Sequence, residues 1–368
     1  MKLSRTSPKV IISGGGTGGH IYPAIAIADE LKSRFPEAEI LFVGALGKME
    51  MEKVPKAGYP IKGLPIAGID RGNMMANIKF PFKLIKSLGL AKKIINEFKP
   101  DIAIGTGGYA SGPLLWQASK AGIPIIIQEQ NSFPGITNKI LKNKAAAICV
   151  AYEGIEQFPA NKVHYTGNPI RSEIFRNLPD RAEAIKSFGL NPDKKVILSV
   201  GGSQGSRTMN NAWKAGMDKL KKEGVQLVWQ TGKLDFENLK RELSNDLDGV
   251  NLTEFIYEMK TAFAAADVIV SRAGAMAISE LCLIGKPVIL LPFPYAAEDH
   301  QTKNAKSLAD KKAALMLSDH QAPAELVDTA LELIKNAESQ SNLSENIKKL
   351  GKPNATKEIV DILISQIK

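Results

Sequence analysis

At 368 residues the chain exceeds the usual size of one hydrophobic core, so two domains are expected. Apolar residues make up 44% and charged residues 23%, an ordinary globular balance. With 48 basic against 38 acidic residues the net charge is +10, yet no run of about 20 apolar residues exists to span a membrane. The N-terminus lacks the apolar core and cleavage site of a signal peptide, so the expected location is cytoplasmic.

The first predicted strand, Val10–Ile12, runs into Ser13-Gly14-Gly15-Gly16-Thr17-Gly18-Gly19-His20 and then a helix-like stretch. Such a turn exposes backbone N–H groups at a helix N-terminus, where the helix dipole favours negative charge. Gly14 to Gly19 fits G-x-G-x-x-G, but a dinucleotide enzyme also wants an acid at the end of the second strand. That strand, Ile40–Val43, ends in Gly44-Ala45, which disfavours a dehydrogenase, and the missing G-K-[ST] rules out a P-loop. His20, directly behind the glycines, reads either as a packed helix-start histidine or as a base that is neutral near pH 7.

Most of the positive charge follows. From Arg71 to Lys99 seven basic residues face one acid, Glu97. Leu84, Leu88, Ala91, Ile95 and Phe98 form a helical stripe that should face the core. Met74, Met75, Ile78, Phe80, Phe82 and Ile85 are left over among lysines. The segment is either a lysine-rich surface helix or an apolar wedge with basic flanks for an anionic lipid surface. Nucleic acid is disfavoured, because the stacking aromatics of common modules are missing.

Strand Ile102–Ile104 is followed by Gly105-Thr106-Gly107-Gly108 and Tyr109, and Ile125–Ile127 by Gln128-Glu129-Gln130-Asn131. Strands Ala147–Val150 and Val163–Tyr165 complete the first half, and the boundary is placed at Thr166-Gly167-Asn168-Pro169. The second half repeats the pattern with Val196–Val200, Gln226–Trp229, Leu252–Phe255, Val268–Val270, Val288–Leu291 and Ala313–Leu317. Its first strand empties into a second glycine turn, Gly201-Gly202-Ser203-Gln204-Gly205. Continuous apolar strands alternating with helices argue for doubly wound, parallel α/β sheets, with ligands at the carboxyl ends of the strands. After Val268–Val270 comes Ser271-Arg272-Ala273-Gly274-Ala275-Met276-Ala277-Ile278-Ser279-Glu280, and after Val288–Leu291 comes Glu298-Asp299-His300-Gln301, where either acid could cap a helix. Ile359, Ile362, Leu363 and Ile367 mark an amphipathic C-terminal helix. Cys149 and Cys282 read as buried thiols, and the four histidines (His20, His164, His300 and His320) are too dispersed for a zinc site.

Seven of these motifs, in order, resemble the MurG family of peptidoglycan N-acetylglucosaminyltransferases: Ser13–His20, Gly105–Tyr109, Glu129-Gln130-Asn131, Thr166–Arg171, Gly201–Gly205, Ser271–Glu280 and Asp299-His300-Gln301. The resemblance implies the α/β GT-B fold, two Rossmann-like doubly wound domains separated by a deep cleft. Residues 1–167 would form an acceptor and membrane-binding domain and residues 168–350 a UDP-GlcNAc-binding domain. Residues 351–368 would form a helix packing back on the first domain. It implies GlcNAc transfer from UDP-GlcNAc to the MurNAc 4-hydroxyl of undecaprenyl-pyrophosphoryl-MurNAc-pentapeptide, lipid I becoming lipid II, without a cofactor or obligatory metal.

The roles carried over are also expectations. His20 would be the base, with Glu129 as runner-up and Tyr109 positioning the acceptor. Backbone at Ile256 would read uracil, and Glu280 would take the ribose hydroxyls. Ser203 and Arg171 would lie near nucleotide or diphosphate. Ala275, Met276, Ala277, Ile278, Ser279 and Gln301 would line the nucleotide-sugar pocket, which Thr17, Gly18, Gly19 and Asn131 would close. Ile78, Lys79, Phe80, Phe82, Lys83, Ile85 and Lys86 would meet an anionic membrane surface on the cytoplasmic side of the plasma membrane. Cell-wall synthesis proteins are further candidate partners. Competing readings are a UDP-GlcNAc epimerase, another GT-B transferase, and a nucleotide-sugar-binding protein without turnover.

Overall fold

The computed structural model describes residues 7–68, 78–170, 175, 177–202 and 204–367. The chain divides into two compact units, Met1–Arg171 with Lys352–Lys368, and Ser172–Gly351.

The first unit runs β1 (Lys9–Ser13), α1 (Gly18–Arg34), β2 (Glu39–Ala45), α2 (Glu50–Lys56), β3 (Ile61–Leu64), α3 (Phe80–Phe98), β4 (Ile102–Gly105), α4 (Ser111–Lys120), β5 (Ile125–Glu129), α5 (Ile136–Leu141), β6 (Ala147–Val150) and β7 (Val163–Tyr165). Its strands pair in the order β3-β2-β1-β4-β5-β6-β7, every pairing parallel. Val10, Ile12, Ile102 and Ile104 pack one face against α1, while Ile11, Ala103, Ile125 and Ile127 pack the other against Ala91, Ile94 and Ile95 of α3. Burial on both faces is why these strands read as unbroken apolar runs.

The second unit runs α6 (Arg181–Ser187), β8 (Val196–Val200), α7 (Arg207–Ala215), α8 (Met217–Lys222), β9 (Gln226–Gln230), α9 (Phe236–Glu242), β10 (Val250–Thr253), α10 (Met259–Ala265), β11 (Val268–Ser271), α11 (Ala275–Ile284), β12 (Val288–Leu290), α12 (His300–Ala309), β13 (Leu315–Met316), α13 (Ala322–Lys335) and α14 (Ala337–Lys349). Strand order is β10-β9-β8-β11-β12-β13, again all parallel. Trp213 and Trp229 are fully buried in its core, and each indole N–H is satisfied, by Ser199 Oγ at 2.8 Å and Asn210 Oδ1 at 2.9 Å.

The last helix, α15 (Ala355–Ser365), belongs to the first unit. Ile359, Val360, Leu363 and Ile367 are buried with Ile21, Ala24 and Ala28 of α1. An ion pair from Arg34 to Asp361 and a hydrogen bond from Thr356 Oγ1 to the Ile170 carbonyl at 3.1 Å fix its seat.

Several local expectations need correction. The edge strand β3 was not anticipated, because Lys62 and Gly63 break its apolar run and only Leu64 is fully buried. β10 lies two residues earlier than Leu252–Phe255, so Phe255 leaves the sheet and meets Tyr257 edge-on. β13 is only Leu315–Met316 within the expected Ala313–Leu317. Of the two acids that could cap a helix there, Asp299 does not: it sits in the left-handed region (φ 54°) and makes no side-chain cap on α12.

Candidate functional site

In both sheets the strand order reverses beside the first strand, between β1 and β4 and between β8 and β11. Connections leaving these neighbouring strands diverge, which opens a crevice at their carboxyl ends. The glycine turns and the Gly105–Tyr109 and Arg272–Gly274 loops all lie at these points.

In the first unit α1 begins at Gly18 and its N-cap, Thr17, makes no side-chain cap. The N–H groups of Gly18 and Gly19 have no partner among the described residues. The loop is fixed from beneath by Glu50, whose side chain is fully buried: Oε2 accepts from the Gly16 N–H and Oε1 from the Ala45 N–H, each at 2.9 Å. Sequence reasoning missed Glu50, because an acid in the first turn of a helix is an ordinary partner for the dipole.

His20 is the third residue of α1 and is half-buried. Its carbonyl accepts from Thr106 Oγ1 at 2.7 Å, and its Nδ1 lies 2.9 Å from Gln130 Oε1. The ring rests on Gly107, which has φ 101° and where a Cβ would stand 2.7 Å from Nδ1. Nε2 has no partner among the described residues. One ring nitrogen is held and the other open, the geometry a general base needs. Tyr109 is half-exposed and its ring covers Gly16 and Gly68.

Glu129 is differently employed from the runner-up base of the sequence reading. It is 2% exposed, and its oxygens accept from the Asn131 N–H (3.1 Å), Asn131 Nδ2 (3.4 Å), the Gly135 N–H (3.1 Å) and Asn138 Nδ2 (2.8 Å). A carboxylate with four donors is an anchor for the 130–138 loop, with no lone pair left for a substrate proton. Glu129→Gln turns one acceptor into a donor facing N–H groups. It should lower unfolding stability by about 1–3 kcal/mol, read by thermal melts of the ligand-free protein; an unchanged melt would contradict the anchor role.

In the second unit the second glycine turn serves a different purpose from the first. Ser206 Oγ already caps α7 by accepting from the Met209 N–H at 3.3 Å. Gly205 packs so closely on the next loop that a Cβ would lie 1.9 Å from the Thr231 carbonyl oxygen. The glycines there let backbone meet backbone. Ser203 and Arg171 lie outside the described residues, as do Met74 and Met75.

α11 starts after Gly274, which has no side chain to cap it. Ala275 and Ile278 are buried, so the expected lining by Ile278 is corrected: its side chain is core and its N–H bonds the Gly274 carbonyl. Met276, Ala277 and Ser279 are half-buried, with Ser279 Oγ donating back to the Ala275 carbonyl at 3.0 Å. Glu280 keeps part of its surface open, yet burial around the carboxyl pushes it up to about 7. It has no hydrogen-bond or ion-pair partner among the described residues.

The Ile256 N–H is already taken by Gln230 Oε1 at 3.2 Å, which leaves its carbonyl as the group open to a base. Gln301 Oε1 accepts from the Phe293 N–H at 3.0 Å, and its Nε2 is unpaired among the described residues. Arg272, from the same motif as Glu280, ties three loops together. Nη1 donates to the Leu291 and Pro292 carbonyls (both 3.2 Å), Nη2 to Ser206 Oγ (2.6 Å), and Nη1 pairs with Asp319 Oδ1 at 2.6 Å.

On α3, Ile78 just before the helix is 65% exposed, Phe82 74% and Ile85 68%, with Lys79, Lys83 and Lys86 exposed beside them. Phe80 is corrected: it is partly buried against the core with Leu84. Ile136 and Ile140 of α5, flanking Lys139, are also exposed, and their i, i+4 spacing was the signal available for them. Among the described residues no helix is long and apolar enough to cross a membrane.

Residues 10–150 match the glycosyltransferase family 28 N-terminal domain and residues 196–359 the family 28 C-terminal domain. A UDP-N-acetylglucosamine–N-acetylmuramyl-(pentapeptide) pyrophosphoryl-undecaprenol N-acetylglucosamine transferase of Parabacteroides distasonis is 53% identical over 98% of this chain and 98% of its own length. A relative of the same description from Cytophaga hutchinsonii is 54% identical over 96% and 95%. The crystal structure of Acinetobacter baumannii MurG superposes with a TM-score of 0.78 at 28% identity, covering 97% of this chain and 99% of that one. A putative UDP-N-acetylglucosamine 2-epimerase from Listeria monocytogenes, at 15% identity and a TM-score of 0.69, shares the fold alone. The chain belongs to the MurG family of glycosyltransferases and has the GT-B fold.

Proposed function

We propose that this protein transfers GlcNAc from UDP-GlcNAc to the 4-hydroxyl of MurNAc in undecaprenyl-pyrophosphoryl-MurNAc-pentapeptide. The observation that carries the proposal is identity above 50% over nearly the full length with transferases named for that reaction. UDP release from UDP-GlcNAc, dependent on a lipid I analogue, tests it.

The acceptor 4-hydroxyl attacks the anomeric carbon of GlcNAc. The O4–C1 bond forms as the bond from C1 to the diphosphate oxygen breaks, and UDP leaves with the electron pair. An α-linked donor giving a β-linked product requires one base and stabilisation of the departing charge. His20 Nε2 takes the hydroxyl proton. The Gly18 and Gly19 N–H groups, with Thr17, suit the acceptor diphosphate. Asn131, on the loop anchored by Glu129, completes the first unit's contribution, and Tyr109 positions the acceptor.

In the second unit, the Ile256 carbonyl reads uracil and Glu280 accepts the ribose hydroxyls. The α11 N-terminus faces the developing diphosphate charge with Ala275, Met276 and Ala277, and Gln301 Nε2 meets the sugar. Ser203 and Arg171 are assigned near the diphosphate on family likeness alone.

Ile78, Phe82 and Ile85, with Lys79, Lys83 and Lys86, form an apolar wedge in a basic rim, which suits a peripheral enzyme resting on the anionic cytoplasmic leaflet that holds its acceptor. Replacing the three lysines with glutamate should weaken co-sedimentation with anionic liposomes by roughly a hundredfold or more, at about 1 kcal/mol for each lost lysine. Equal binding to neutral and anionic vesicles would contradict this surface.

A further inference from the structure

At the carboxyl ends of β4 and β5 lies a buried cluster of amides. Gln128 is 0%, Gln130 1% and Asn168 2% exposed. Gln128 Nε2 donates to Asn168 Oδ1 at 3.0 Å, and Asn168 Nδ2 donates to the Gln130 carbonyl at 3.1 Å. Gln130 Nε2 faces the Thr106 carbonyl at 2.6 Å, the Gln128 carbonyl at 3.3 Å and the Gln128 side-chain oxygen. Two of these three acceptors are backbone carbonyls, which cannot be turned around. The opposite amide orientation would set Gln130 Oε1 among three oxygens at hydrogen-bond distance, with no proton between them.

The orientation of Gln130 is therefore fixed by its surroundings, and its Oε1 points at His20. An amide oxygen only accepts, so the imidazole nitrogen 2.9 Å away must carry the hydrogen. A neutral imidazole has one N–H. With the proton on Nδ1, Nε2 holds the free lone pair. Gly107 closes off the Nδ1 side, so Nε2 is the nitrogen left open.

We infer that Gln130 is a positioning residue for the reaction: it holds neutral His20 as the Nδ1–H tautomer and so presents Nε2 as the proton acceptor. This rests on the reading of His20 as base. The logic is that of an orienting group behind a catalytic histidine, here a neutral amide in place of a carboxylate. A neutral acceptor fixes the tautomer without setting a formal charge beside the imidazole. The proton received from the acceptor hydroxyl then makes an imidazolium whose Nδ1–H still donates to Gln130.

The test is long-range proton–nitrogen correlation NMR of the full-length protein with nitrogen-15-labelled histidine, at a pH where imidazole is neutral. The His20 signals are identified by their loss in His20→Ala. The expected result is Nδ1 protonated and Nε2 bare. Gln130→Met, similar in length and unable to accept well, should release His20 toward the Nε2–H form. It should also lower kcat by roughly tenfold to hundredfold, with the KM for UDP-GlcNAc unchanged. A wild-type His20 carrying its proton on Nε2 overturns the assignment, and this result needs no variant to fold. A Gln130→Met protein with unaltered tautomer and kcat overturns it as well. Near-normal turnover by His20→Ala removes the base reading itself and with it the catalytic part of the inference, whereas an Nε2–H tautomer removes only the role of Gln130.

Discussion

His20→Ala is expected to lower kcat for GlcNAc transfer by roughly a hundred- to ten-thousandfold, the range lost with a general base. Binding of UDP-GlcNAc should stay close to wild type, because the residues assigned to the uracil and the ribose, Ile256 and Glu280, belong to the other unit. The fold should also persist. His20 is only half-buried, and the hydrogen bond from Thr106 Oγ1 goes to its backbone carbonyl, which alanine retains. Calorimetric titration of the nucleotide and single-turnover transfer separate the two effects. Near-normal turnover would remove His20 as the base. Glu129 would then be a poor replacement, since its two oxygens already serve four donors.

Glu280→Gln should move donor affinity and protein stability in opposite directions. Burial raises the Glu280 carboxyl from its ordinary 4.5 to about 7. Between these values the folded protein holds a proton that the unfolded chain has released. The stabilising contribution of this group is thus fully present below about 4.5 and is lost as pH rises through about 7. Glutamine carries no charge to desolvate, so the variant should melt higher than wild type at pH values above about 7 and show little difference in acid. Ligand binding should respond the other way. An ionised carboxylate can accept both ribose hydroxyls, and a hydrogen bond to a charged group contributes about 1.5–3 kcal/mol. The variant should therefore bind UDP roughly ten- to a hundredfold more weakly. Wild-type affinity should strengthen as pH rises through about 7, a dependence the variant should lack. Equal UDP affinity in the two proteins would contradict the assignment of Glu280 to the ribose.

The sheets were readable in the sequence because parallel strands covered on both faces need apolar residues at every position, as in Val10–Ile12, Ile125–Ile127 and Val268–Val270. Where a strand lies at an edge the demand is relaxed, and β3, with Lys62 at its centre, carried no comparable signal. Helix faces were readable to within a residue or two: the α3 stripe was correct in outline, but Phe80, the first residue of the helix, packs against the same core as Leu84.

The site was readable only as a set of loops. The glycine turns look alike in sequence, yet one leaves its helix start uncapped and the other is capped by Ser206. The partners that decide such roles are distant. Gln130 meets His20 across 110 residues, and Glu50 meets Gly16 across 34. Nothing in local composition marks Glu50 as the buried support of the first loop, or Arg272 as a tie between loops. These are consequences of strand order, which sets the ends of β1, β2, β4 and β5 side by side in one sheet and those of β8, β11, β12 and β13 in the other.

The measurement that tests the central claim most directly is release of UDP from UDP-GlcNAc with and without a lipid I analogue, with the products identified. The account predicts UDP release that depends on the acceptor, one β-linked GlcNAc-MurNAc product for each UDP, and loss of both in His20→Ala. Epimerised or hydrolysed UDP-GlcNAc without acceptor, or nucleotide binding with no acceptor-dependent release, would contradict it.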